Sequence, residues 1–242
     1  MMQILLDEGF QFGLGAFETI AVVEGRPVFL REHLERLKGT TDFLGISRQV
    51  EEGEVLEYLA AHPGFCGGLK IAVSGKNKIF LMRDNIYTEE VYARGFRAEI
   101  SPVRRNETSP LTYHKTMNYG DCILEKRRAS QAGVDERIFL NTRGEISEGT
   151  VSNVFFVKGG KLFTPELSCG LLPGILRGYV LSRYGAEETR IRPEELEEYE
   201  ECFLTNSLMG IMPVVRIGEH IFGGRRTADR LLAEYRERFL VS

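Results

Sequence analysis

Three stretches of the chain carry residue types whose chemistry goes beyond packing. They are Tyr113-His114-Lys115-Thr116-Met117-Asn118-Tyr119, then Glu145-Ile146-Ser147-Glu148-Gly149-Thr150-Val151-Ser152-Asn153-Val154-Phe155, then Leu171-Leu172-Pro173-Gly174-Ile175-Leu176-Arg177. A lysine amine condenses with an aldehyde when it is neutral, which calls for a partly desolvated site or cationic neighbours. A carboxylate held against a pyridine nitrogen keeps that nitrogen protonated, so the ring can absorb carbanion charge. A proline-glycine entry to a helix presents N–H groups that bind phosphate. Each feature also has an ordinary reading alone: Lys115 as a solvated surface lysine, Glu148 as a turn carboxylate, Pro173-Gly174 as a plain helix start. Together they supply an imine-forming amine, a partner for a protonated ring nitrogen and a phosphate cradle. Pyridoxal 5'-phosphate (PLP) needs all three.

Other residues can join them. Arg36 can add a bidentate charge-assisted pair to a phosphate, although a surface helix arginine is the commoner case. The hydroxyls of Thr205-Asn206-Ser207 can complete a phosphate cup or satisfy the backbone of a turn. His114, beside Lys115, decides nothing alone.

The elements that must position these residues follow from apolar periodicity and turn signals. Gln11 to Ile20 starts in a glycine-punctuated turn and enters a strand that continues through Ala21-Val22-Val23. Glu24-Gly25-Arg26-Pro27 is a turn, after which Val28-Phe29-Leu30 pairs back as a hairpin. A helix begins near Arg31, with Leu30, Leu34 and Leu37 on one face and His33 and Arg36 sharing another side. Val50 to Ala61 reads as a second helix, closed by His62-Pro63-Gly64. Leu69 to Val73, Ile79 to Met82 and Phe96 to Ile100 read as strands. The polar run Arg104 to Pro110 is the candidate linker. A helix carrying Tyr119, Ile123 and Leu124 stops at Gly133, and a β meander follows through Phe163. Pro173-Gly174 opens a helix from Ile175 to Tyr184. Pro193 opens a short acidic helix, Cys202 to Thr205 and Met212 to Val215 are strands, and Thr227 to Phe239 is an amphipathic helix. Many hairpins among mixed strands and helices argue for α+β rather than a doubly wound parallel sheet.

With 242 residues the chain holds one large domain or two small ones. A formal net charge of -4 gives no global basic field of the kind nucleic acid attracts. The four cysteines, Cys66, Cys122, Cys169 and Cys202, are not at metal-ligand spacing and do not form a small disulfide scaffold, so reduced thiols and no metal are expected. No apolar run approaches ~20 residues, so no membrane span is expected. The stretch Met1 to Glu8 is too acidic for a signal peptide, and a cytoplasmic protein is the default.

At these residues the chain resembles the fold-type IV PLP enzymes, the class IV aminotransferase family. The Lys115 motif, Ile146-Ser147-Glu148-Gly149 with Asn153-Val154-Phe155, Leu172 to Arg177 and His33-Leu34-Glu35-Arg36-Leu37 occur in the family's order over nearly the whole length. The resemblance implies PLP, with Lys115 as the imine lysine and Glu148 at the pyridine nitrogen. Arg36, the amides of Ile175 and Leu176, and Ser207 would then hold the phosphate. It also implies two α/β domains with mixed sheets, the larger one barrel-like, and a homodimer acting on a small-molecule substrate. The expected division is a small N-terminal domain over 1–108 and a larger PLP-binding domain over 109–242.

Within the family, three features point away from the branched-chain aminotransferases and toward the aminodeoxychorismate lyases. Asn118-Tyr119 follows Lys115 at a spacing one residue shorter than in the former. Phe12 replaces a pocket tyrosine. The stretches Leu204 to Val214 and Gly68 to Ser74 look like the lyases. That branch implies release of pyruvate from aminodeoxychorismate, with proton return by Lys115 or Thr19. The alternative is an aminotransferase for D-alanine or branched-chain substrates. A lyase substrate with two carboxylates needs cations; Lys70, Arg104 and Arg105 are available, each otherwise ordinary surface charge. A PLP-free, non-catalytic dimer is the reading from another class, and Lys115 with Glu148 argues against it.

Overall fold

The computed structural model describes residues 3–240; Met1, Met2, Val241 and Ser242, including the start of the acidic N-terminal stretch, lie outside the described residues. The chain divides into two compact units. The first takes the residues up to Ile86 together with His114–Gly120, and the second takes Tyr87–Tyr113 and everything from Asp121 on.

The first unit contains α1 (Glu8–Phe12), β1 (Ala16–Val23), β2 (Arg26–Pro27), α2 (Leu30–Phe43), α3 (Glu52–Ala60), β3 (Gly67–Val73) and β4 (Lys78–Arg83). The strands form an antiparallel sheet in the order β2-β1-β3-β4. Side chains alternate across a strand. Ile20 and Val22 of β1, with Leu69, Ile71 and Val73 of β3, therefore meet Leu30 and Leu37 of α2 and Val55 and Leu59 of α3 in one buried core. The intervening residues Phe17, Thr19 and Lys70 are left on the opposite face, with Thr19 directly across from Lys70.

Two expectations need correction here. The run before β1 is a short helix, capped by Asp7 accepting from the Phe10 N–H, and Asp7 also accepts from Ser74 Oγ at 2.6 Å. The hairpin arm expected at Val28-Phe29-Leu30 is only Arg26–Pro27: Phe29 takes a left-handed backbone (φ 56°) and the chain enters α2 at Leu30. Burying Leu30 with Leu37 outweighs a longer pairing.

The second unit holds α4 (Glu89–Arg94), β5 (Phe96–Arg105), α5 (Gly120–Gln131), β6 (Glu136–Asn141), β7 (Ile146–Gly149), β8 (Asn153–Lys158), β9 (Lys161–Pro165), α6 (Ile175–Tyr184), β10 (Glu187–Thr189), β11 (Glu201–Asn206), β12 (Gly210–Ile217), β13 (His220–Ile221) and α7 (Arg226–Phe239). Its sheet runs β10-β9-β8-β11-β12-β5-β6-β7, with β13 on β12. The β5–β6, β5–β12 and β9–β10 pairs are parallel and the others antiparallel. The sheet curls into a half-barrel, bringing β7 to β8. The buried Phe155 and Phe203 rings stack across the β8–β11 pair at 5.0 Å. The architecture is the mixed α+β one expected.

Arg104 and Arg105, expected to start a linker, are instead the last residues of β5, paired with Leu140 and Asn141. On α5 the expected apolar face is also wrong. Ile123 and Leu124 are 40% and 49% exposed, while Cys122, Glu125 and Ala129 are buried. Glu125 takes the core position because Arg137 and Ser101 meet it there, at 3.0 and 2.7 Å.

Candidate active site

In the first unit the segment bearing Lys115 runs alongside β1. Phe17 N–H donates to the Lys115 carbonyl, Met117 N–H to the Gly15 carbonyl, and Lys115 N–H to Thr40 Oγ1. This approach is so close that a Cβ on Gly15 would sit 2.6 Å from Met117 Sδ. The half-buried Lys115 side chain places Nζ 4.6 Å from the centre of the Phe17 ring and 5.2 Å from that of Tyr119. Those rings meet edge to face at 5.1 Å. Lys115 therefore shares a neighbourhood with Phe17, whose β1 face also carries Thr19 and, from β3, Lys70. Phe17 was not singled out from the sequence, though the alternation of β1 places it there.

Arg36 is organised from the other face of β1. Its Nε and Nη2 each donate to a Glu18 oxygen at 2.7 Å, and His33 Nδ1 contacts the same carboxylate at 2.7 Å. Glu18 and His33 side chains are wholly buried, and that of Arg36 is 12% exposed. Burial alone would raise the Glu18 pKa, but Arg36 and His33 overcome it and hold the carboxyl well below the usual range. Burial pushes the His33 pKa down against the pull of Glu18. Neutral His33 then donates from Nδ1 to the carboxylate. The i, i+3 spacing correctly joined His33 and Arg36. Glu18 was missed, although a glutamate between strand residues that face the core needs a cation. His114 stacks flat on Phe43, ring centres 4.0 Å apart.

In the second unit Glu148 is tied to the turn that leads into α6, the helix that begins at Ile175 and Leu176. Glu148 Oε1 meets Arg105 Nη2 at 2.8 Å, and Oε2 accepts from the Leu172 N–H at 3.0 Å. The Leu172 carbonyl accepts from Asn153 Nδ2 at 2.9 Å. Asn153 also faces Gly174, where a Cβ would lie 1.9 Å from Asn153 Oδ1, so the turn into α6 tolerates only glycine there. Across the β8–β11 pair Asn153 stands opposite Thr205, and α6 packs on β11. Ser207 follows in the turn after β11, where Asn206 Oδ1 accepts from the Leu208 and Met209 N–H groups.

This set suits a phosphate ester with a pyridine ring. The first N–H groups of an α-helix have no intrahelical partner, and Gly174 offers α6 no side-chain cap. Thr205 Oγ1 is buried without a hydrogen-bond partner. An anion at the α6 start would satisfy such donors, while Glu148 provides the carboxylate that a ring nitrogen requires. Thr205 is a stronger indicator here than the expected Ser207, and only its burial sets it apart.

The amino-transferase class IV family profile matches residues 15–217. An aminodeoxychorismate lyase of Bacillus subtilis (strain 168) is 28% identical, with 90% of this chain and 83% of that protein covered. A probable branched-chain-amino-acid aminotransferase of Thermotoga maritima is 30% identical over 85% of this chain and 78% of its own length. Among solved structures, the 4-amino-4-deoxychorismate lyase of Pseudomonas aeruginosa has a TM-score of 0.87 at 27% identity, covering 98% of this chain and 96% of that one. With the curled mixed sheet and the lysine, carboxylate and helix start in the expected order, the chain belongs to the class IV aminotransferase family, enzymes of fold-type IV that depend on PLP.

Proposed function

We propose that this chain cleaves 4-amino-4-deoxychorismate to 4-aminobenzoate and pyruvate, a step toward folate, as a cytoplasmic homodimer. The observation that carries this is the likeness to the Pseudomonas aeruginosa lyase along nearly the whole length of both chains. The Leu204 to Val214 stretch, which resembles the lyases, supports it, and its turn is ordered by Asn206 Oδ1 accepting from the Leu208 and Met209 N–H groups. A second reading, an aminotransferase for D-alanine or branched-chain amino acids, draws on the 30% identity to the Thermotoga maritima relative.

When bound, PLP supplies an electron sink for the carbon that bears the substrate amine. Lys115 Nζ would hold PLP and would take the proton from the amine-bearing carbon of the substrate. Phe17 and Tyr119 fix that nitrogen in position. Glu148, oriented by Arg105 and the Leu172 N–H, would keep the proton on the pyridine nitrogen. Arg36, the Ile175 and Leu176 amides, Ser207 and Thr205 would hold the phosphate. The ring-to-oxygen bond of the enolpyruvyl group then breaks, its electron pair leaving on oxygen. Lys115 or Thr19 returns a proton to the methylene carbon, giving pyruvate and an aromatic ring. No water, oxidant or second substrate is consumed. Product analysis with aminodeoxychorismate as the sole substrate tests the proposal, with equal amounts of pyruvate and 4-aminobenzoate expected.

A further inference from the structure

We propose that Lys70 receives a second carboxylate of the substrate, so that this chain selects amino dicarboxylates over amino monocarboxylates; this rests on the lyase function proposed above. Lys70 projects from β3 on the face that carries Phe17 and Thr19. Its ammonium stands 4.9 Å from the centre of the Phe17 ring, and the Lys115 ammonium stands 4.6 Å from the same centre. One ring is thus shared by the amine assigned to the chemistry and a second cation, which lie no farther apart than those two distances together.

Lys70 is half-buried, and no carboxylate of the described residues lies within ion-pair distance of it. Burial pushes its pKa down, and Arg83 pushes the same way. Across β4 its neighbour is Leu81, 41% exposed, which offers no charge. The nearest buried carboxylate of β1, Glu18, faces the opposite side of the sheet and is taken up by Arg36 and His33. A half-buried cation with a ring face beside it and no carboxylate partner gains from an incoming anion. The other cations available for the role are placed differently: Arg105 is paired with Glu148, and Arg104 is exposed. A ligand whose amine reaches Lys115 while a remote carboxylate meets Lys70 spans the Phe17 ring, the arrangement a cyclic amino dicarboxylate offers.

The experiment compares isophthalate with benzoate, which differ by one carboxylate, as ligands of the PLP-loaded enzyme in isothermal titration. The wild type should bind isophthalate roughly tenfold or more tightly than benzoate, the scale of one charge-assisted contact. Lys70→Met should abolish that preference, and Lys70→Arg should restore most of it. A preference retained in Lys70→Met, or absent from the wild type, overturns the assignment. Aminodeoxychorismate turnover is followed in parallel. A Lys70-dependent preference without pyruvate release refutes the lyase function and leaves the subsite standing, whereas pyruvate release without the preference refutes the subsite alone.

Discussion

A buried hydroxyl without a hydrogen-bond partner costs about 1–3 kcal/mol, and Thr205 Oγ1 is in that position. If it serves a phosphate, Thr205→Val should leave stability unchanged or slightly raised while weakening PLP binding roughly tenfold. Urea unfolding of the cofactor-free protein together with a PLP titration checks both halves; a loss of stability with cofactor affinity intact would assign Thr205 to packing. Glu148 offers the complementary case. Glu148→Gln keeps the shape that meets the Leu172 N–H but cannot hold a proton on a pyridine nitrogen, so PLP should still bind while turnover falls by roughly a hundredfold or more. Turnover near that of the wild type would remove Glu148 from the role. Lys115 and Glu148 stand out in the sequence by residue type and order. The pairs Glu18 with Arg36 and Arg105 with Glu148 do not stand out, because their partners lie far apart along the chain.

At the level of elements, the entry to α6 is the most exacting piece of backbone. Gly174→Ala would push a Cβ into Asn153 Oδ1, which its bond to the Leu172 carbonyl keeps from swinging away. The helix start should shift, costing about 1–3 kcal/mol of stability and roughly tenfold or more in PLP affinity. Phosphorus NMR of bound PLP should show a displaced resonance; an unchanged spectrum and affinity would mean that the α6 start does not cradle the phosphate. The bounds of α6, β3, β4 and β11 were readable to within about two residues, since proline, glycine and apolar alternation mark them. The α5 face and the end of β5 were not. Periodicity counts apolar residues and cannot anticipate that Glu125 is buried, and Arg105 half-buried, in ion pairs.

On the scale of the whole molecule, His114–Gly120 returns to the first unit after the chain has entered the second, a path that no single cut of the sequence expresses. The polar run from Arg104 gave a boundary signal but no sign of that return. The first unit also carries an acid-sensitive element. The folded-state pKa of His33 is depressed, so between its ordinary value of 6.5 and that lower value the unfolded chain binds a proton that the folded chain does not. Its contribution is therefore present above pH 6.5 and lost as pH falls below it, at a rate of up to about 1.4 kcal/mol per pH unit. His33→Gln should flatten that slope in urea unfolding; an unaltered slope would mean that His33 does not govern it. The central claim is elimination rather than transamination, and one comparison addresses it. Purified PLP-loaded enzyme receives aminodeoxychorismate alone, and a second tube receives D-alanine or L-leucine with 2-oxoglutarate, with Lys115→Ala as the control in both. The account predicts pyruvate and 4-aminobenzoate through many turnovers in the first tube and none from Lys115→Ala. Rapid glutamate formation in the second tube, with no aromatic product in the first, would contradict it.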